Sequence, residues 1–218
     1  MKNIIELIEI EKKYKSHVIF KNLSLEVKKN DFLGIVGKSG SGKTTLLNII
    51  GLIDGINSGV IKFEDEQIKD ISSKKCMILR RNKLGYLFQN FGLADDETVE
   101  WNLNLALEYK SLNKNERIEQ ISTIIKKFQL ESISGKRIYQ ISGGEQQRVA
   151  IMRLILQDPD VIIADEPTSS LDEQNELIIM DYLKKLHQNG KTIIMVTHNE
   201  RLKPYFTRYI NLSDLKNQ

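Results

Sequence analysis

Residues 37–44, Gly37-Lys38-Ser39-Gly40-Ser41-Gly42-Lys43-Thr44, have the spacing G-x-x-x-x-G-K-[ST]. Glycines let the chain turn tightly with no side chain in the way, so successive backbone N–H groups can converge on phosphate oxygens. Lys43 then reaches the outer phosphates of a nucleotide as a point charge, and Thr44 offers its hydroxyl to Mg²⁺. The flanks suit this chemistry. Asp31-Phe32-Leu33-Gly34-Ile35-Val36 reads as a buried strand, and Thr45-Leu46-Leu47-Asn48-Ile49-Ile50 as the first turns of a helix, whose positive dipole end adds to the anion site.

Further reactive residues stand at the ends of apolar runs. Val161-Ile162-Ile163-Ala164 leads into Asp165-Glu166-Pro167, which suits a carboxylate for the metal followed by one that orients and polarises an attacking water. By themselves these residues also fit a turn leaving a strand. Thr192 to Thr197 ends at His198, and Lys83 to Leu87 runs on through Phe88 to Gln89. Ser142-Gly143-Gly144-Glu145 reads as a capping box, Ser142 with Glu145 three residues on. A cap needs no glycines inside the first turn, where each weakens the helix by about 1 kcal/mol. Glycines there suit close approach of a phosphate, and cap and anion site use the same free N–H groups.

The elements that must position these groups follow from periodicity. Ile4 to Ile10 alternates as a half-buried strand, with Leu23 to Val27 and Gly59 to Phe63 as further strands of an antiparallel layer. From Glu97 to Arg153 helical periods take over. Ile118, Ile121, Ile125 and Phe128 are expected on one core-facing stripe, and Trp101 as a packing residue of the first of these helices. Beyond them, Ile179, Leu183 and Leu186 share a helix face that stops at Gly190. Near-continuous apolar strands alternating with helices predict a parallel sheet covered on both faces, with ligands off its carboxyl ends. Gly37, Gln89, Asp165 and His198 all fall just past such ends. The fold class is therefore α/β, a P-loop core of RecA-like type with an N-terminal antiparallel β-layer (1–89 and 154–218) and an inserted α-helical lobe (90–153).

The 218 residues suffice for one sizeable domain, and 40% hydrophobic with 28% charged residues is ordinary globular composition. The net charge of +3 is spread over pairs such as Lys12-Lys13 and Lys74-Lys75, expected on the solvated surface. No basic stripe suggests nucleic acid. The single cysteine, Cys76, forms no internal disulfide and has no neighbours at metal-ligand spacing. No apolar run approaches the roughly 18 residues of a membrane span. The expectation is a cytoplasmic chain, with any membrane role exercised through a partner.

Taken together, these motifs resemble those of the ATP-binding subunit of ABC transporters over essentially the whole chain. Gly37–Thr44 resembles Walker A, Gln89 the Q-loop, Ser142–Gln146 the signature, Val161–Glu166 Walker B, Ser169–Asp172 the D-loop and His198 the switch histidine. Ile-Ser-Gly-Gly-Glu-Gln-Gln-Arg-Val-Ala is most similar to the lipoprotein-release, macrolide-export, cell-division and bacteriocin-export branch. Ile141 replaces the usual leucine and Glu145 the commoner glutamine, while Ser170 stands where alanine or asparagine is common.

The resemblance implies ATP and Mg²⁺ as ligands. Nucleotide contacts would come from Tyr14, which falls where the family places an adenine-stacking aromatic, from Gly37, Lys38, Ser39, Gly40, Ser41, Gly42, Lys43, Thr44 and Thr45, and from Gln89. Ser142, Gly143 and Gly144 would act on the nucleotide of a second copy or a homologous cassette paired head to tail. Thr44, Gln89 and Asp165 would hold the metal, and Glu166, His198 and Lys43 would carry hydrolysis. A membrane permease would dock near Asn90 to Trp101, where Phe91 and Leu93 precede Asp95-Asp96, placing the chain on the inner face of the cell membrane. Alternatives are the same ATPase energising a regulatory or resistance complex without transport, or an ABC ATPase acting on DNA or ribosomes. Against the last stand the short interval between Walker A and the signature, which lacks sustained heptads, and the presence of one cassette only.

Overall fold

Alternating burial along β1 (Asn3–Tyr14) and β2 (His17–Lys28) packs one face of an antiparallel pair and leaves the other to solvent. The computed structural model describes residues 2–38, 40–169 and 171–216. After the pair come β3 (Phe32–Val36), α1 (Lys43–Ile50), β4 (Ser58–Phe63) and β5 (Glu66–Ile68). Next are α2 (Lys74–Asn82), β6 (Leu84–Leu87), α3 (Val99–Leu105), α4 (Lys114–Lys127) and α5 (Gly143–Gln157). The chain continues through β7 (Val161–Asp165), α6 (Glu173–Gln188), β8 (Thr192–Thr197), β9 (Arg208–Asn211) and α7 (Leu212–Lys216).

Two sheets result. The first, β2-β1-β4-β5, is antiparallel and is the expected N-terminal layer. The second, β6-β7-β8-β3-β9, is parallel throughout. All of β3 and β8 is buried, as strands covered on both faces must be. Side chains of the parallel sheet divide by the two-residue period. Ile162, Ile193 and Met195 join one apolar cluster with Leu103, Ile125 and Met152 of the helical side. Ile163, Ile194 and Val196 join the other with Leu46 of α1 and Leu7, Leu25 and Ile61 of the antiparallel layer.

Parallel register fixes the functional edge. Val36 pairs with Thr197 and Asp165 with Val196, so Gly37, Asp165 and His198 emerge side by side at the carboxyl ends. Leu87 pairs with Ala164 one strand further out, placing Gln89 two residues beyond β6 and not at its last position.

Several expectations are corrected. Ile118 is 55% exposed, and the buried stripe of α4 is Ile121, Ile124 and Ile125, continued by Phe128 at its C-cap. Trp101 is 41% exposed, because the inward positions of α3 are Val99, Asn102 and Leu103. Lys12 is not on the solvated surface: its ammonium is enclosed by Asp54 Oδ1 at 2.6 Å and the Gly55 carbonyl at 2.7 Å. Four elements go unannounced by the pattern: α2, capped by Ser73 but burying only Cys76, the short strand β5, the edge strand β9 and the short helix α7.

Candidate nucleotide site

The loop between β3 and α1 is shaped before any ligand arrives. Gly42 is the N-cap of α1 in the left-handed region at φ 97°, and a side chain there would meet Ile19 Cγ2 at 2.8 Å. The Lys43 ammonium folds over the loop, donating to the carbonyls of Gly37 at 2.9 Å and Lys38 at 3.0 Å. Among the described residues the buried Ser41 hydroxyl has no partner, which suits a polar ligand group in the cradle. Ser39 lies outside the described residues.

Lys43, Glu166 and His198 form one continuous line. Glu166 Oε1 stands 3.5 Å from Lys43 Nζ, and its Oε2 is 2.8 Å from His198 Nδ1. Lys43 is buried, the Glu166 side chain is 18% exposed and the His198 ring largely exposed. Glu166 reaches this position from a left-handed backbone at φ 45°, unusual for a residue with a Cβ. Such strain costs on the order of 1–3 kcal/mol and persists where the surroundings over-determine it. Here Glu166 N–H donates to Val196 O at 3.0 Å, Ser169 N–H to Glu166 O at 3.1 Å, and the buried Gln147 amide to Pro167 O at 2.7 Å.

The Asp165 carboxyl lies beside Glu166 and is held above its ordinary value. Burial is the main cause, the charge of Glu166 adds to it, and a hydrogen bond from Thr44 with the attraction of Lys43 works against it. A hydroxyl and a carboxylate form the hard-oxygen pair that Mg²⁺ prefers, and the elevated carboxyl is one that a cation would satisfy. The residues present fit the metal. Among the described residues no group of three or more His, Cys, Asp or Glu side chains makes a self-sufficient metal site, so the remaining ligands would have to arrive with the nucleotide. Gln89 is exposed beyond β6, outside the line formed by Lys43, Glu166 and His198.

Tyr14 ends β1 with its hydroxyl donating to Asp54 Oδ2 and receiving from the Thr45 hydroxyl in the first turn of α1. Lys12 and Asp54 are site-side residues that sequence reasoning missed. Lys12 sits in an ordinary-looking basic pair, and Asp54 lies 42 residues away with no motif around it.

Ser142 is the N-cap of α5 in a reciprocal capping box with Glu145. Glu145 N–H donates to Ser142 Oγ at 3.3 Å, and Ser142 N–H donates to Glu145 Oε2 at 2.8 Å. The Ser142 hydroxyl, donating to Glu145 Oε2 at 2.7 Å, and then the Ser142 N–H hold the Glu145 carboxyl below its usual range. Gly143 is exposed. Gly144 lets the start of α6 approach, since a Cβ there would come within 3.1 Å of the Asn175 side chain. Among the described residues no hydrogen bond or ion pair joins Ser142, Gly143 or Gly144 to the Lys43 line.

Residues 20–169 match the sequence model of a family described as ABC transporter. The chain is 36% identical to the lipoprotein-releasing system ATP-binding protein LolD of Aquifex aeolicus, over 99% of this chain and 96% of that one. It is also 36% identical to the macrolide export ATP-binding/permease protein MacB of Mannheimia succiniciproducens, over 97% of this chain but 34% of the relative. The chain thus spans about a third of the macrolide-export relatives it matches. Among solved structures it resembles the ATP-binding cassette MJ0796, in a dimeric post-hydrolysis state bound to ADP and Pi, with TM-score 0.87 and 35% identity over 95% of this chain and 93% of that one. The chain belongs to the ABC transporter family and is one of its ATPase cassettes.

Proposed function

We propose that the chain binds ATP with Mg²⁺ on the residues described, pairs head to tail with a second cassette, and drives a membrane permease. The observation that carries this reading is the line Lys43–Glu166–His198 at the carboxyl ends of β3, β7 and β8. In hydrolysis a water attacks the γ-phosphorus as the bond to the β-phosphate bridging oxygen breaks, and ADP leaves. Lys43 exchanges the Gly37 and Lys38 carbonyls for phosphate oxygens, with the loop N–H groups and Ser41 supplying neutral donors. Glu166 Oε1 is the acceptor for the water's proton, and His198 holds the other carboxylate oxygen in place. Mg²⁺, held by Thr44 and Asp165, with Gln89 reaching the same metal, would neutralise charge on the β- and γ-oxygens.

Ser142, Gly143 and Gly144, which among the described residues share no hydrogen bond with this line, are assigned to the nucleotide of the paired cassette. The cassette MJ0796 is itself dimeric, in keeping with this pairing. The division into a core (1–89 and 154–218) and a lobe (90–153) is retained as a proposal, with α5 running through its second boundary. Phe91 and Leu93 are half-buried against the helical cluster. The permease therefore docks in the adjoining groove of about 930 Å³, where Met77, Leu105 and Tyr109 are exposed beside Arg81 and Arg153. Among the described residues no helix is long and apolar enough to cross a membrane, so attachment to the inner face of the cell membrane runs through the permease. The cargo in this reading is a lipoprotein, peptide or antimicrobial to be extracted or exported, supported by a likeness to a lipoprotein-releasing ATP-binding protein and a macrolide export ATP-binding/permease protein.

The test is Glu166→Gln. This variant should bind ATP, lose steady-state hydrolysis by at least a hundredfold and accumulate as an ATP-bound dimer in size-exclusion chromatography. Adding Ser142→Arg should return it to an ATP-bound monomer. Wild-type turnover in Glu166→Gln, or an undisturbed dimer in the double variant, would sink the assignment.

A further inference from the structure

Three side chains from two segments converge beside the first turn of α1. Tyr14 closes β1, Lys12 precedes it on the same strand, and Asp54 follows α1. The Asp54 carboxylate receives the Tyr14 hydroxyl on Oδ2 and the Lys12 ammonium on Oδ1 at 2.6 Å. Lys12 is further fixed by the Gly55 carbonyl at 2.7 Å, and its ammonium stands 4.5 Å from the centroid of the Tyr14 ring. Thr45 donates to the same hydroxyl. Burial alone would raise the Asp54 carboxyl, but the bonds from Lys12 and Tyr14 outweigh it and hold the group below its ordinary value, so it stays ionised. Tyr14 itself is 46% exposed, whereas Lys12 is buried.

We propose that Lys12 and Asp54 form a latch that fixes the Tyr14 ring as a wall for the nucleobase, making Asp54 a positioning residue for base recognition. The proposal rests on the nucleotide reading above. An exposed tyrosine ring ordinarily samples several rotamers and must lose that freedom when a base stacks on it. The latch removes the freedom beforehand. Its hydroxyl end is held between Asp54 and Thr45, and Thr45 directly follows the Lys43-Thr44 pair, so the wall is keyed to the phosphate cradle. The cation over the ring draws on its π-electrons, which suits stacking against a neutral, electron-rich base.

The test compares ATP with inorganic tripolyphosphate, which engages the cradle but has no base, in isothermal titrations of the full chain. Asp54→Ala should lower the ratio of ATP to tripolyphosphate affinity about tenfold, the scale of one hydrogen bond to a charged group. Tyr14→Phe keeps the ring but frees it from Asp54, and should lower the ratio by a similar factor. In a Tyr14→Ala background, Asp54→Ala should change nothing further, because no ring remains to be placed. An unchanged ratio in Asp54→Ala would overturn the latch. So would an equal loss for both ligands, or an additive loss in the Tyr14→Ala background. A wild-type chain that binds neither ligand would remove the nucleotide reading itself and the latch with it.

Discussion

The side-chain amide of Gln147 donates to the Pro167 carbonyl at 2.7 Å from a position with no solvent exposure. This bond joins α5, whose first turn is assigned to the partner's nucleotide, to the residue that follows Glu166. The helix that opens at Ser142 is thereby tied by one hydrogen bond to the backbone immediately after Glu166, whose own φ is left-handed.

Gln147→Leu leaves the Pro167 carbonyl without its donor. It should cost about 1–3 kcal/mol of stability, a fall in Tm of several degrees for a chain of this size. It should also lower kcat for ATP about tenfold with KM within twofold, because Glu166 is misplaced while the phosphate cradle is not. Steady-state kinetics beside thermal melting check this. A lower Tm with kcat unchanged would restrict Gln147 to a packing role.

Asp165 gives a pH signature. Its carboxyl titrates above the ordinary 3.8 in the folded chain, chiefly through burial. The folded state therefore holds this proton to higher pH than the unfolded state does. Stability falls as pH rises through the window between the two values, and the penalty is complete above the raised one. Asp165→Asn should melt higher than wild type at neutral pH without nucleotide. The gap should narrow as pH falls towards 4 and close below that. Adding ATP and Mg²⁺ should reverse the order, since only wild type keeps the carboxylate proposed to hold the metal. Calorimetry across pH, with and without ligand, reads both effects.

The groove beside α2 and α3 gives a partner prediction. Leu105→Asp combined with Tyr109→Ala changes two exposed residues, so the isolated subunit should bind ATP as wild type does. Co-purification with its permease should be lost. Full co-purification of this variant would move the docking surface elsewhere.

Much of the architecture was legible because it rests on short-range patterning. Continuous apolar runs marked β3, β7 and β8, and the residues just past them proved to be the assembled edge: Gly37, Asp165 and His198. The site's geometry was less legible. Nothing local foretold that Glu166 would turn through a positive φ to meet both Lys43 and His198, since the bonds that enforce it come from β8 and α5. Lys12 looked like surface charge because its partner, Asp54, is set beside it only by the fold. Ile118 and Trp101 failed for the opposite reason. Helical spacing marks an apolar stripe but not how far round the helix the core extends.

The order of strands has a consequence for how the chain comes to be folded. β3, which launches the phosphate loop, has no neighbour from its own part of the sequence. It lies between β8 and β9, and its Phe32 N–H donates to the hydroxyl of Thr207, 175 residues away. During synthesis the antiparallel layer of β1, β2 and β4 can close early, while β3 stays unpaired until residues 192–211 have left the ribosome. Long-range parallel pairing of this kind is slow and exposes apolar strand edges while it waits. The part of the sequence that is read first as a nucleotide site is thus among the last to take its shape, and a chain halted after β7 would carry the whole Walker A sequence without a cradle.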